Sequence, residues 1–215
     1  MTSPLASYSS ATEQRNPLIA GYLPVETRKF TLATGTLALG AIVGLVLSAT
    51  PVGAAVAGNT GNGTIGTLSL GTNARAGVYR AVCIEPAANG GTFAIEDPDG
   101  VIIGRVNVGT PATGPVVFTI ADGATDFAPG DAFTITVAAT GAVLRCAAAA
   151  TDGSSRPHGI VAMAADATAA ATEVLVYERG EFDESQLSIG AGLTVAGARD
   201  VLRTRGVHLI PVGNA

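Results

Sequence analysis

Residues 61–66, Gly61-Asn62-Gly63-Thr64-Ile65-Gly66, have the GxGxxG spacing with which backbone N–H groups at a helix N-terminus hold a dinucleotide pyrophosphate. Glu85, 19 residues beyond Gly66, stands where a ribose-binding carboxylate would. That chemistry needs a helix opening at Gly66, yet residues 67–80 alternate polar and apolar and contain Gly71 and Gly77, so a Gly/Asn-rich loop is expected instead. Asp152, Ser154, Ser155 and His158 supply carboxylate, hydroxyl and imidazole within seven residues, but without the turn that lifts a serine nucleophile above its sheet they read as a solvated loop. Asp97, Asp99, Asp122, Asp126 and Asp131 are oxygen donors suited to calcium. Each lies near Gly or Pro, where aspartate bonds its own backbone as a turn residue. Glu181, Asp183 and Glu184 could do acid–base work but have no aromatic pocket residues beside them, and a charged surface loop is expected. His208 is expected to be structural, and two histidines without nearby Cys or carboxylates give no transition-metal set. Catalytic, metal-binding and cofactor-binding residues are therefore all read as none, and the chain is not expected to be an enzyme.

The elements that would carry these residues are short strands. With Trp absent, aromatics at 5%, 28 glycines and 47% hydrophobic residues, the core must be built from Val, Ile, Leu and Ala around many turns. Strands are expected at 78–85, 92–96, 101–108, 116–120 and 133–137, punctuated by Asn-Gly-Gly, Asp-Pro-Asp-Gly and Ala-Pro-Gly-Asp turns, as a compact antiparallel module. After an Ala-rich stretch at 147–150, strands follow at 159–162 and 173–177. A helix at 198–205 directs Val201 and Leu202 inwards, ends on Arg203 and Arg205, and stops at Gly206 before a last strand at 207–212. Cys83 and Cys146 allow one bridge at most, and two reduced thiols are expected.

No charge occurs between Lys29 and Arg75, and residues 30–57 are long enough to cross a bilayer as a helix. Arg28 and Lys29 before the run, Gly40 and Gly44 within it and Ala55-Val56-Ala57 after it imitate a signal or a membrane span. Composition speaks against both: 29 residues precede the run, and Thr31, Thr34, Thr36, Gly35, Gly40 and Gly44 dilute it. The same residues fit strands turning at Gly35 and Gly40, with a buried run at 42–47. A net charge of −5, with Lys29 the lone lysine, excludes the clustered cations of a nucleic-acid grip. Residues 1–24 are polar and Pro-containing and read as a flexible arm. Within the arm, Pro17, Leu18, Ile19, Ala20, Tyr22, Leu23 and Pro24, continuing into Val25, could add to a partner's sheet edge.

The run Phe30-Thr31-Leu32-Ala33-Thr34-Gly35, Leu37-Ala38-Leu39-Gly40, Ile42-Val43-Gly44 resembles the opening of head decoration proteins of the phage lambda type. Thr151-Asp152-Gly153-Ser154, Pro157-His158-Gly159-Ile160, Asp166-Ala167-Thr168, residues 174–179 with Gly180-Glu181-Phe182, and Leu202-Arg203 with Gly206-Val207 are similar to that family's C-terminal part, in the same order. The resemblance covers about 1–50 and 141–215 and departs from the family between, where an extra β module stands in place of a short connection. It implies a mainly β chain: a flexible capsid-binding arm (1–24), a β-tulip-like decoration domain with one short helix (25–52 plus 141–215) and an inserted β-sandwich-like module (53–140). It also implies a homotrimer made in the host cytoplasm that caps threefold sites on the outside of an expanded head. Its arm, Pro17 to Val25, would order on the major capsid protein, without cofactor, nucleic acid or membrane. A second reading, from a different class, is a secreted or surface-anchored β-sandwich adhesin exported through 30–57.

Overall fold

The computed structural model describes residues 16–212. Their strands are β1 (Glu26–Leu32), β2 (Gly35–Leu37), β3 (Ile42–Leu47), β4 (Val52–Ala55), β5 (Thr64–Leu70), β6 (Gly77–Ala87), β7 (Gly90–Glu96), β8 (Ile102–Asn107), β9 (Val116–Ala121), β10 (Ala132–Val137), β11 (Ala139–Arg145), β12 (Gly159–Val161), β13 (Ala165–Ala167), β14 (Thr172–Asp183) and β15 (Val207–Ile210). One α-helix, α1 (Val195–Arg203), and a 3₁₀ turn at Glu184–Gln186 complete them. The protein is mainly β, as its composition predicts.

β1, β11, β3, β12 and β14 are hydrogen-bonded in that order, and β1 also pairs antiparallel with β14, so the five close on themselves as a small barrel. β15 extends the far end of β14 in parallel through Gly180 to Asp183. Period-two alternation sorts the barrel's side chains between two cores. Val43, Val161, Val174 and Val176 join Phe30, Leu32, Leu37 and Val143 in one cluster, while their neighbours Ile42, Ile160 and Tyr177 join Phe182, Ala198, Leu202, Val207 and Leu209 in another. β3 and β12 are therefore covered on both faces, which is why 42–47 lacks charge. The candidate membrane run is strand and turn, and no helix of the described residues is long and apolar enough to cross a membrane. Gly44 is required by packing, because a Cβ there would collide with the Ser154 backbone.

The strands between form separate sheets. β4, β10, β6, β7 and β8 make a five-stranded antiparallel sheet, and the β5–β9 ribbon packs across it. Phe118 and Ile120 of the ribbon meet Tyr79, Phe93, Phe133 and Ile135 of the sheet, and Phe93 and Phe127 stack edge to face at 5.0 Å. Leu47, at the end of β3, is buried in this core too, tying the two sets of sheets together.

Several expectations are displaced. The helix begins at Val195, three residues early, because the Thr194 hydroxyl accepts the Gly197 N–H at 3.1 Å; it ends at Arg203. Its buried stripe is Ala198 and Leu202, four apart, leaving Val201 only half-buried. The strand read at 173–177 runs on to Asp183, so 181–184 is not a surface loop: Asp183 is buried and caps the 3₁₀ turn by accepting the Ser185 N–H at 2.8 Å. β4, β5 and β11 were not expected as separate strands; Ala, Gly and Thr fill much of them, and their partners rather than their own propensities fix them. Cys83 and Cys146 are free, buried in different cores. Burial pushes the Cys146 thiol up to about 12.

Candidate functional site

Gly61, first of the residues with dinucleotide spacing, does donate its N–H to an anion, and that anion is the protein's own. Asp131 is buried, and its carboxylate accepts the N–H groups of Thr60, Gly61 and Ala128 at 2.8, 2.8 and 2.9 Å. Burial alone would raise this carboxyl; the three donors outweigh it and hold it below its ordinary value. β5 begins at Thr64, so no helix N-terminus stands at Gly66, and the loop's donors are spent on closing the second core. Two of the remaining aspartates bond backbone, Asp97 accepting from Asp99 and Val101 and Asp126 from Asn89, whereas Asp99 pairs with Arg75 and the buried Asp122 Oδ1 has no hydrogen-bond partner among the described residues. Among the described residues no three His, Cys, Asp or Glu side chains come together as a metal set.

The segment expected to be a solvated Ser/His loop is buried. From Gly153 to Val161 only Arg156 escapes full burial, because Gly153 packs under Leu47 and the strand β12 is clamped between β3 and β14. Its serine and histidine side chains are each committed. Ser154 donates its hydroxyl to Asp152 at 2.6 Å, and Ser155 accepts the Asn73 N–H at 2.8 Å, a bond between the two sets of sheets. His158 bonds neither serine; its Nε2 lies 2.9 Å from Glu178, and Arg205 donates through Nε to the His158 carbonyl at 3.1 Å. In its Nε2–H tautomer the ring donates to Glu178, and in the Nδ1–H tautomer Nε2 accepts from Arg205 Nη2 at 3.3 Å. Burial, then the neighbouring Arg205, outweigh Glu178 and lower His158 to about 4, so the imidazole is neutral at pH 7. No nucleophile–base pair is assembled here.

Beside His158 a cavity of about 350 Å³ opens at the seam of the two sets of sheets. Arg75, Arg156 and Arg205 line it with Asp99. A second groove, about 690 Å³, continues past Arg205 to Arg28, Arg179 and Leu23.

The segment expected as a free arm is divided. Leu18 is 1% exposed, packed with Phe182 and Leu202, so it belongs to the barrel's outer core. Ile19 bridges Phe182, the Ala20 N–H donates to the Glu181 carbonyl at 3.0 Å, and the Asp183 N–H donates to the Leu18 carbonyl at 2.9 Å. The strand addition expected with a partner thus takes place within the chain, on the end of β14. Pro17, Leu18, Ile19 and Ala20 are consequently corrected from free binding residues to docked ones, of which Pro17 remains exposed. Glu181 fixes residues 21–23: its carboxylate accepts the N–H groups of Tyr22 and Leu23, and Gly21 leaves room for it where any Cβ would fall on the carboxyl. The chain then bulges before entering β1, presenting Tyr22 (94% exposed), Leu23, Pro24 and Val25 as an apolar knuckle. Residues 1–15 of the expected arm lie outside the described residues. His208 is half-buried on β15, opposite Glu181.

No protein family matches the chain, and no curated protein does. Among solved structures, two crystal forms of FlgL from Xanthomonas campestris align with 46% and 45% of this chain at 19% and 20% identity and a TM-score of 0.33. The match spans about a third of FlgL, 33% and 31%, and an overlap this slight carries no argument about fold or function.

Proposed function

We propose that this protein is a capsid decoration protein that binds the exterior of an expanded phage head as a homotrimer at threefold sites and cements it against internal pressure. The observation that carries the reading is where the resembling residues lie. Those of 30–44, 151–182 and 202–207, far apart in sequence, lie in one barrel with its flanking β13–β2 ribbon, helix and β15, while 52–137 build sheets of their own. A module placed in a surface connection costs little closure entropy, since that grows only with the logarithm of loop length. The contact with the major capsid protein is assigned to the knuckle Tyr22, Leu23, Pro24 and Val25. Rigid apolar anchors repeated three times give affinity by avidity.

Export with cleavage after Ala57 would remove all of β1, β2, β3 and β4, which supply Phe30, Leu32, Ile42 and Val43 to the cores. Co-sedimentation of the full chain with expanded and with unexpanded heads of the phage whose genome encodes it tests the proposal. Pelleting with expanded heads alone is expected; failure to pellet with either, or equal pelleting with both, overturns it.

A further inference from the structure

The seam cavity contains one cation without a counter-charge. Arg75 is paired with Asp99 at 2.8 Å and with Asp97 at 3.7 Å, and Arg205 with Glu178 at 3.8 Å and with the His158 carbonyl. Arg156 is half-buried between the two, and its guanidinium, which carries five donors, makes no hydrogen bond or ion pair among the described residues. It is the one residue of 153–161 that is not fully buried, and it lines the cavity. A half-buried charge left unpaired is costly, and the cost is greater beside like charges. Burial, then Arg75 and Arg205, act against the charged form of Arg156 and lower its pKa, with Tyr79 and Asp99 opposing them. Gly153, Pro157 and His158, all buried, form the barrel side of the cavity, and Ala74 and Pro98 of the other sheets form the opposite side.

We propose that this cavity is an oxyanion site in which Arg156 makes a two-pronged contact with a phosphate or carboxylate group, with Arg75 and Arg205 flanking it. The shared chemistry is a pair of acceptor oxygens matching the guanidinium fork. Because Arg75 and Arg205 keep their own carboxylates, the site takes a small anion rather than a polyanion such as nucleic acid. A ligand there touches both sets of sheets at once, through Arg75 on one side and Arg156 and Arg205 on the other, and so stiffens their junction.

The test is a titration of the full-length protein with inorganic phosphate, with acetate and with chloride at matched ionic strength, reading the thermal midpoint. A saturable rise with phosphate, acetate or both, beyond that with chloride, is expected. The rise should vanish in Arg156→Gln, weaken several-fold in Arg156→Lys, which keeps the charge and loses the fork, and persist in Arg203→Gln, an exposed helix position. Equal responses to all three anions, or an undiminished response in a folded Arg156→Gln, would overturn the assignment. If the glutamine variant does not fold, an undiminished response in Arg156→Lys overturns it equally.

Discussion

Replacing His158 by glutamine isolates one buried titration. In the folded chain the imidazole is neutral with its pKa lowered to about 4, against 6.5 unperturbed. The sign follows from linkage: above 6.5 neither state takes up a proton and the group contributes nothing to the pH dependence. As pH falls from 6.5 towards 4 only the unfolded chain gains the proton, so stability is lost through that window and no further below it. Between pH 7 and pH 5 the loss is about 2 kcal/mol, and it approaches about 3 kcal/mol near pH 4. The side chain is only 8% exposed, so solvent screening trims this little. Glutamine keeps a neutral donor towards Glu178 and does not titrate. Urea unfolding of both proteins at about pH 7, 6 and 5 gives the difference in stability, from which the carboxylates common to both cancel. That difference should shift by about 2 kcal/mol in favour of His158→Gln as pH falls from 7 to 5. A pH-independent difference would refute the picture of a neutral imidazole locked between β3, β14 and Arg205.

Leu18→Ala should cost about 2–5 kcal/mol in chemical denaturation, the range for emptying a buried leucine site. Asp131→Ala strands three backbone donors and should lose at least about 2 kcal/mol at pH 7. The Asp131 carboxyl also adds an acid-sensitive share, full above its unfolded value of 3.8 and lost as pH falls through its lower folded value, visible as a flatter acid limb in the variant. Neither Cys83 nor Cys146 should react with a thiol reagent in the native protein, and both should react in urea; rapid native labelling would mean that the cores open. Tyr22→Ala combined with Leu23→Ala should leave the unfolding midpoint unchanged and weaken binding to expanded heads at least about tenfold, measured by co-sedimentation.

The β class was legible from composition, and strands of alternating pattern such as 78–85 and 133–137 lie within one to two residues of those observed because one face of each meets a core. The uncharged run at 30–57 was ambiguous for a physical reason: β3 is buried on both faces, and a strand with two cores shows no alternation. β11 escaped notice because Ala139, Thr140 and Gly141 carry no pattern, and its place is set by pairing with β1 and β3 across nearly a hundred residues. The cavity and the docked Leu18 were not legible at all. Arg75, Arg156, Glu178 and Arg205 are brought together only by tertiary contacts between separate sheets, and the apolar run around Leu18 shows it able to pair but not that its partner is β14 of the same chain. Leu18 and Ile19 meet Phe182 across more than 160 residues of chain, a range over which sequence periodicity carries no signal.

The central claim is the decoration of an expanded head, and an electron cryo-microscopy reconstruction of expanded heads saturated with the full-length protein tests it most directly. The account predicts three copies of the barrel around each threefold site, with Tyr22 to Val25 against the major capsid protein and the sheets of 52–137 projecting outwards. Heads without added density at those positions after saturation, or density bound through the 52–137 sheets with Tyr22 facing solvent, would contradict it.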